Sequence, residues 1–514
     1  MSKRSRTEYS YLNILAGAGG YSLSVILSLF NRMVFTRTLP ADYLGINGLF
    51  TNVLSMLSLA ELGIGGAIVY ALYKPLAEDD HEKVASIVKL FGKAYAIIGV
   101  IIFVAGLCLM PFLTLIVGEH PEIPENLYLI FGFFLFNTAS SYFFTYRSTL
   151  LTAAQQNYYN TGINYLILSV QEVLQAIYLL ITHEYIGYLI IQVIGGLTYN
   201  IIISKVAVKK HPYIVGKSVK DLPKEESRKI FRDVRDLTIY KVSGLLVNST
   251  DNILITYFKG LAITGITSNY SLLVTTLNSL IGQVFGGITA SVGNYNATET
   301  VEKKHETFLT LDFLNFWIFG WATLGICFCS TDLVTLFFGS NYTLPAVIPL
   351  IMAVNFYVSG TSNVAGIYKH TMGMFKYGRF IQLGTGILNI VLSIVMGDIW
   401  GLSGILAATV VSRALTHMWY TPYVVYRYAF HKSLLIYIKK HCIYLASLIL
   451  AGLMCKIVLS GLNYSVIVTA ILKIVLCSVL FNAEILVLFS RTPEFKQFGQ
   501  YVTFAIRKIV KDKL

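Results

Sequence analysis

Charged residues are scarce in this chain of 514 residues, since Asp, Glu, Lys and Arg together make up only 13% of it. Hydrophobic residues make up 55%, and the mean hydropathy is +0.64. A water-soluble domain of this size cannot bury so much apolar surface, which excludes soluble enzymes and soluble binding proteins. The composition therefore predicts a multi-pass membrane protein, with the lipid bilayer as its first partner.

Cysteine is rare as well, and no motif of a catalytic or metal centre occurs. The six cysteines lie within or beside apolar runs, without the paired spacing of a zinc site or a disulfide framework. HExxH, DxD-type and glycine-rich phosphate-binding motifs are all missing from the sequence. The sequence thus predicts no catalytic residues, no metal site and no bound cofactor, and it disfavours a membrane glycosyltransferase.

Acidic residues are outnumbered by basic residues, 27 to 40, which gives a formal net charge of +13. Lys and Arg are concentrated in alternate connections between the apolar runs, whereas the intervening connections GEHPEIPEN, SNYTLP and GDIWG contain neither. This asymmetry follows the positive-inside rule and predicts that both termini face the cytoplasm. The positive charge therefore reflects orientation in the membrane, and nucleic acid is not an expected partner.

About fourteen apolar stretches are long enough to cross a bilayer as helices. The predicted fold class is all-α, with two six-helix bundles in parallel repeat and two extra C-terminal helices. In this division, 1–208 is the N-terminal bundle, 209–236 a basic cytoplasmic linker, 237–430 the C-terminal bundle, and 431–514 holds helices 13 and 14 with a cytoplasmic tail. The apolar stretches lie near residues 11–37, 43–73, 91–117, 125–147, 159–182, 185–207, 237–258, 261–293, 309–338, 345–369, 380–397, 401–427, 438–460 and 464–490.

An internal duplication supports the two bundles. A shift of 220 residues places Gly45 on Gly265, and weaker matches keep the same order, including YRST at 146–149 with YKHT at 368–371. Because each copy contains an even number of helices, both copies have the same orientation in the membrane.

Ionisable residues inside the apolar stretches are costly at membrane depth and by default line an interior cavity. The arginine, lysine and histidine residues among them lie at several depths and suit an anionic substrate, because an arginine can bind two phosphate oxygens together. The carboxylates are candidates for ion coupling. The substrate-binding set is Arg32, Arg147, Lys241, Lys369, Arg413 and His417, and the ion-coupling set is Asp251, Glu61 and Glu172.

Structural roles stay open for the same residues. Snorkelling to the lipid headgroups explains cations near helix ends without any substrate, which applies to Arg147, Lys241 and Lys369. Carboxylates can pair with an arginine or hydrogen-bond between packed helices instead of coupling an ion, which applies to Asp251, Glu61 and Glu172. Two further ionisable residues of the last apolar stretch are interpreted as structural, Lys473 and Glu484.

Five runs of the sequence carry a family resemblance: LGINGLFTNVLSMLSLAELGIGGAIVYALYKPLAEDD, AAQQNY, LTIYKVSGLLVNSTDNILITYF, ITSNYSLL and ITASVGNYNA. They resemble the polysaccharide-biosynthesis flippases of the multidrug/oligosaccharidyl-lipid/polysaccharide superfamily, the Wzx-like exporters of bacteria. The resemblance implies two bundles around a central cavity in the bacterial cytoplasmic (inner) membrane, opening alternately to the cytoplasm and the periplasm. It also implies an undecaprenyl-pyrophosphate-linked oligosaccharide as substrate, for capsule or O-antigen export.

The same resemblance implies roles for parts of this chain. It favours Arg32, Lys241 and Asp251 as cavity residues, and it implies that helices 13 and 14 help to form a groove for the lipid tail. Sodium ions or protons are the implied coupling ions, and polysaccharide polymerase machinery is an implied partner.

Three other functions are weighed against a repeat-unit flippase. A multidrug antiporter of the same superfamily is expected to have an acidic cavity for cationic drugs, whereas the deep residues here are mostly basic. A peptidoglycan-precursor (lipid II) flippase shares the fold, the charge of the substrate and the two extra helices. A membrane polymerase or ligase is expected to carry a large outer loop with paired acids or arginines, and the sequence contains none.

Overall fold

Helices make up nearly the whole of the described chain. The computed structural model describes residues 6–58, 64–117, 123–216, 219–374, 377, 379–462 and 464–511. Within these ranges no β-strand occurs, and nine helical stretches are long and apolar enough to cross a membrane. The predicted all-α, multi-pass membrane fold is confirmed.

By packing, the chain divides into two compact units, Met1–Ser268 and Asn269–Leu514. The boundary lies inside helix α9, and the segment ends expected at 208, 236 and 430 stay a prediction about the repeat in the sequence. The first unit contains α1 (Arg6–Thr38), α2 (Ala41–Leu57), α3 (Ile64–Ala77), α4 (His81–Leu109), α5 (Leu113–Val117), α6 (Leu127–Ala153), α7 (Asn157–Thr182), α8 (Tyr185–Lys210) and most of α9 (Lys224–Thr298). The second unit contains the rest of α9 with α10 (Val301–Phe338), α11 (Val347–Thr361), α12 (Asn363–Thr371), α13 (Arg379–Trp400), α14 (Leu402–Leu415), α15 (His417–Val424), α16 (Leu435–Leu459), α17 (Val466–Phe489) and α18 (Pro493–Lys511).

Large apolar side chains point outward from the long helices. Among the most exposed are Ile181 at 75%, Ile457 at 74% and Val487 at 78%. Apolar surface in water is unfavourable by roughly 25 cal/mol per Å², whereas lipid tails accept it without that cost. These outward faces are therefore the lipid-facing surface that the composition requires.

Helix α9 is broken at Gly260, whose φ of +81° lies in the region that favours glycine. After the break, α9 passes very close to the start of α2. A Cβ added to Gly45 would lie 2.2 Å from the carbonyl oxygen of Leu261, and one added to Gly265 would lie 2.2 Å from that of Ala41. We call this contact the glycine junction. Its two glycines are the pair that the internal duplication aligns in the sequence.

The connection between α8 and α9 is attached to α4 by a group of ion pairs. Hydrogen bonds from Lys93 and Lys89 lower the pKa of the Asp221 carboxyl, which keeps this carboxylate charged. Ion pairs as exposed as these contribute little one by one, so the contact depends on the whole set. The set is Lys83–Glu226 (2.9 Å), Lys220–Glu82 (2.7 Å), Lys89–Asp221 (3.2 Å) and Lys93–Asp221 (3.0 Å).

The glycine junction predicts a sharp difference between two glycines of one helix. We expect Gly45→Ala to lower the free energy of unfolding by about 1–3 kcal/mol, because its methyl group collides with backbone. Gly48→Ala is the matched control, since its Cβ would lie 3.5 Å from the Asn252 Nδ2 in ordinary contact. Denaturant unfolding of the purified protein in detergent measures both. Equal stabilities of the two variants would contradict the close approach.

Candidate functional site

A cluster of polar side chains lies inside the first unit, between α1, α7 and α8. We call it the Glu172 cluster. The spacing of three or four residues places Ser28 on one face of α1 with Asn31 and Arg32, and Glu172 on one face of α7 with Gln175. Its members are Ser28, Asn31 and Arg32 of α1, Glu172 and Gln175 of α7, and Tyr188 of α8.

Asn31 is the centre of the hydrogen bonding in this cluster. Its side-chain Nδ2 donates to the carboxylate of Glu172, and it lies 3.4 Å from both the Oε1 of Gln175 and the hydroxyl of Tyr188. Ser28 also hydrogen-bonds Glu172. Asn31 is 3% exposed, and its Oδ1 has no hydrogen-bond partner among the described residues. The carboxylate thus accepts hydrogen bonds from neutral amide and hydroxyl groups.

Arg32 connects the Glu172 cluster to the glycine junction. Its guanidinium donates to the hydroxyl of Ser268 on α9, and that hydroxyl donates to the carbonyl oxygen of Gly265 at 2.6 Å. The guanidinium is also close enough to Glu172 to interact with it electrostatically. Two predicted site residues, Arg32 and Glu172, are therefore brought together by the fold.

The other predicted residues of the first unit lie apart from this cluster or outside the description. Arg147 of α6 donates to the hydroxyl of Ser204 on α8 at 2.5 Å and lies over the ring of Tyr146. Asp251 of α9 is half-buried and has interaction partners of its own. Glu61 lies outside the described residues, and so does the side chain of Lys241. The roles predicted for all four of these residues stay predictions.

The second unit brings three predicted residues together, which we call the basic group: Lys369, Arg413 and His417. Arg413 of α14 donates to the Oδ1 of Asn355 on α11 at 2.9 Å. The imidazole of His417 lies 2.9 Å from the hydroxyl of Thr421 and is close enough to Arg413 and Lys369 to interact electrostatically with both.

Lys369 is the buried cation of the basic group. It is 8% exposed, and it makes no hydrogen bond or ion pair with any residue that the structure describes. Removing an ammonium group from water without a partner costs several kcal/mol. A group of like charges at such a position attracts an anion, because an anion would offset that cost.

An apolar groove of about 880 Å³ lies in the surface of the second unit. It runs between α10, α11, α15 and α16, so one of the two extra C-terminal helices forms part of it. Its walls are almost entirely aliphatic and aromatic, and a few polar side chains line its ends. Representative wall residues are Leu324, Val354, Trp419, Leu445, Ile449 and Leu453.

The two residues interpreted as structural each have a partner on a neighbouring helix. Lys473 of α17 pairs with Asp332 of α10 at 2.6 Å, and Glu484 of α17 accepts a hydrogen bond of 2.7 Å from Ser447 of α16. Both contacts attach α17 to its neighbours.

Three polar residues of these sites, Ser28, Asn31 and Asn355, were missed by the sequence analysis, because they were not counted as candidates. Ser28 precedes Arg32 by one helical turn and so shares a helix face with a candidate, and that spacing was the signal that could have identified it. Asn355 has no such neighbour, and only the fold brings it to Arg413.

Comparisons with known proteins agree with this fold. The family model "Polysaccharide biosynthesis protein" matches residues 12–288. No curated protein matches the chain. Among solved structures, the lipid II flippase MurJ in an inward closed conformation is 14% identical, with a TM-score of 0.66 over 93% of this chain and 99% of MurJ.

Multidrug transporters of the MATE type are similar in fold as well. An inward-facing MATE family transporter of the MOP superfamily is 13% identical, with a TM-score of 0.54 over 76% of this chain and 91% of that one. The Vibrio cholerae MATE transporter VcmN is 12% identical, with a TM-score of 0.55 over 84% of this chain and 99% of that one. At these identities the likeness shows a common fold.

The burial of Lys369 predicts a gain in stability when its charge is removed. We expect Lys369→Met to raise the free energy of unfolding by about 1 kcal/mol, because the methionine fills similar space without the desolvated charge. Lys440→Met is the control, since it breaks the partly buried ion pair with Glu494 and is expected to destabilise the protein. Denaturant unfolding in detergent compares the two. A loss of stability in Lys369→Met as large as in the control would show that Lys369 has a stabilising partner.

Proposed function

The chain belongs to the family of polysaccharide biosynthesis proteins, and from this premise we propose that it is a flippase for undecaprenyl-pyrophosphate-linked oligosaccharide repeat units. It moves them from the cytoplasmic to the periplasmic leaflet of the bacterial inner membrane, for surface polysaccharides such as capsule or O-antigen. Both termini are cytoplasmic, and polysaccharide polymerase machinery receives the product.

The observation that carries this proposal is the basic group with its buried Lys369. A pyrophosphate with several sugars cannot cross hydrocarbon unaided, since each buried charge and unpaired hydroxyl costs several kcal/mol. Cations held at membrane depth lower that barrier for an anionic headgroup. A drug antiporter for cationic compounds gains nothing from such a group, because like charges repel.

Arg32 gives the first unit a means to link substrate binding to a change in conformation. Its planar guanidinium can bind two phosphate oxygens at once. When a phosphate replaces Ser268 as the acceptor, the hydrogen-bonded connection from Arg32 through Ser268 to Gly265 is interrupted. Binding of the headgroup thereby releases α9 from this hydrogen bond to α1.

The apolar groove is the proposed site of the lipid tail. Its volume and aliphatic walls suit a polyprenyl chain, which stays in hydrocarbon while the headgroup crosses. Helix α16 supplies much of one wall, in agreement with the expected use of the extra helices, whereas α17 contributes no residue to the described lining.

A lipid II flippase is the second candidate, and the structural similarity to MurJ favours it. Both substrates are polyprenyl pyrophosphates with sugars, so the sites described above suit either. The two candidates differ in the lipid that accumulates when the protein is removed, and a deletion strain distinguishes them.

Replacing Arg32 tests the flippase directly. We expect Arg32→Ala to abolish surface polysaccharide and to accumulate lipid-linked oligosaccharide in the cytoplasmic leaflet, at normal protein level. Arg32→Lys should retain part of the export, because the charge stays and the two-pronged geometry is lost. Export is measured as surface polysaccharide, and the leaflet is assigned by accessibility of the sugar to an external lectin.

Arg37→Ala is the matched control, since Arg37 is exposed on the same helix and should be dispensable. Normal export by Arg32→Ala would remove Arg32 from the site. In a deletion strain, accumulation of the oligosaccharide in the outer leaflet would point to a polymerase, accumulation of lipid II to the second candidate, and altered drug sensitivity alone to an antiporter.

The Glu172 cluster is the proposed site of ion coupling. A carboxylate surrounded by amide and hydroxyl groups can exchange a proton, and its oxygens together with the Oδ1 of Asn31 are hard ligands of the kind that sodium prefers. Arg32 lies in the same cluster, so ion binding and headgroup binding influence one another through charge. Asp251 and Glu61 remain the other candidates for this role.

Glu172→Gln should uncouple transport from the ion gradient. In proteoliposomes, we expect a proton or sodium gradient to accelerate flipping by the unaltered protein and to leave the rate of Glu172→Gln unchanged. Glu484→Gln is the control, because Glu484 is another buried carboxylate with a hydrogen-bond donor at 2.7 Å. Retention of the acceleration in Glu172→Gln would assign coupling elsewhere.

A further inference from the structure

A carboxylate and an imidazole meet inside the second unit, away from the basic group. Asp312 of α10 is 1% exposed, and its Oδ2 lies 3.0 Å from the Nε2 of His441 on α16. The second carboxylate oxygen, Oδ1, has no hydrogen-bond partner among the described residues. We call the pair the Asp312–His441 dyad.

The dyad is enclosed by tyrosines on one side and reaches the apolar groove on the other. The ring of Tyr437 packs against the imidazole with centroids 3.9 Å apart, and that of Tyr444 meets it edge-on at 5.5 Å. The imidazole itself forms part of the groove wall. Its Nδ1 makes no hydrogen bond with any residue that the structure describes.

This geometry leaves one ring nitrogen available to a ligand in the groove. The carboxylate fixes the orientation of the ring through Nε2, as carboxylates do for histidines that bind ligands. In the protonated imidazole both ring nitrogens are donors. With Nε2–H directed to Asp312, the Nδ1–H lacks an acceptor on the protein. An anionic oxygen that enters the groove would supply it through a charge-assisted hydrogen bond.

The position of the dyad along the groove matches the headgroup of a lipid. His441 lies in the second turn of α16 and Lys456 in the last, and both line the groove. Fifteen residues of helix separate them by about 22 Å, against a hydrocarbon thickness of about 30 Å. His441 therefore lies near the boundary between headgroups and hydrocarbon, with the apolar groove extending from it towards the other side.

We propose that the Asp312–His441 dyad binds the phosphate of a lipid whose hydrocarbon chain occupies the groove. The proposal rests on the proposed function, because it takes the groove as the site of the polyprenyl tail. It adds a phosphate site separate from Arg32 and from the basic group. This site distinguishes a phosphorylated polyprenyl lipid from the bare alcohol and holds the lipid by its tail and its phosphate together.

Binding of a polyprenyl phosphate to the purified full-length protein tests the dyad. The probe is radiolabelled undecaprenyl phosphate in detergent micelles, compared with undecaprenol and with inorganic phosphate as competitors. The unaltered protein should bind the phosphate more tightly than the alcohol. His441→Gln keeps a donor towards Asp312 but cannot carry a charge. We expect it to weaken binding of the lipid phosphate about tenfold and to leave binding of the alcohol unchanged.

Two controls separate the dyad from other causes. Ser447→Ala removes a different buried hydrogen bond of α16, and Lys439→Gln removes an exposed charge of α16 outside the groove lining. Both should keep most of the affinity for the lipid phosphate. A loss in Ser447→Ala as large as in His441→Gln would mean general damage to α16, and the same loss in Lys439→Gln would mean that any positive charge on α16 suffices. Either result overturns the proposal.

Three further outcomes would also overturn the proposal. The unaltered protein could bind undecaprenyl phosphate and undecaprenol equally tightly, or His441→Gln could bind undecaprenyl phosphate as tightly as the unaltered protein does. Inorganic phosphate could also displace the lipid at equal concentration, which would indicate a site for a free anion. Failure of the proposed function shows instead as normal export by Arg32→Ala. Each failure can occur without the other.

Discussion

The cost of keeping a charge away from water inside a membrane governs the placement of the ionisable side chains in the membrane-spanning helices. The protein meets this cost in two ways. Lys473 lies against the carboxylate of Asp332, so this contact is close to neutral and joins α17 to α10. By contrast, each of the described arginines of the predicted site donates a hydrogen bond to a neutral side chain on another helix. The three pairs are Arg32–Ser268, Arg147–Ser204 and Arg413–Asn355.

This division separates residues that hold the fold from residues that can receive an anion. A hydroxyl or an amide gives a buried guanidinium a hydrogen bond without cancelling its field. A phosphate that arrives can then replace the neutral acceptor at modest cost, since a charge-assisted bond is stronger than the bond that it displaces. A lysine bound to a carboxylate offers no such exchange.

The fold was largely predictable from the sequence, because apolar length alone decides which segments cross a bilayer. The candidate site was predictable in part. Arg32 and Glu172 were identified because a charge inside an apolar run stands out, but their neutral partners did not stand out. Ser268 lies 236 residues after Arg32, and only the fold brings the two together. The Asp312–His441 dyad was missed although Asp312 lies inside the predicted stretch 309–338, because its partner follows 129 residues later and only the fold brings the two together.

The alignment of the two halves of the sequence pairs Gly45 with Gly265. The structure places these two glycines at a close backbone contact that leaves no room for a Cβ on either of them. The contact explains both glycines, because a Cβ on either one would collide with the backbone of the other segment.

The ion pairs that attach the α8–α9 connection to α4 lie at the surface, where dissolved salt weakens them. Screening acts over about 8 Å at physiological ionic strength and over shorter distances as salt rises. A rise in salt concentration therefore loosens the attachment of this connection to α4, so the freedom of the joint between α8 and α9 grows with ionic strength.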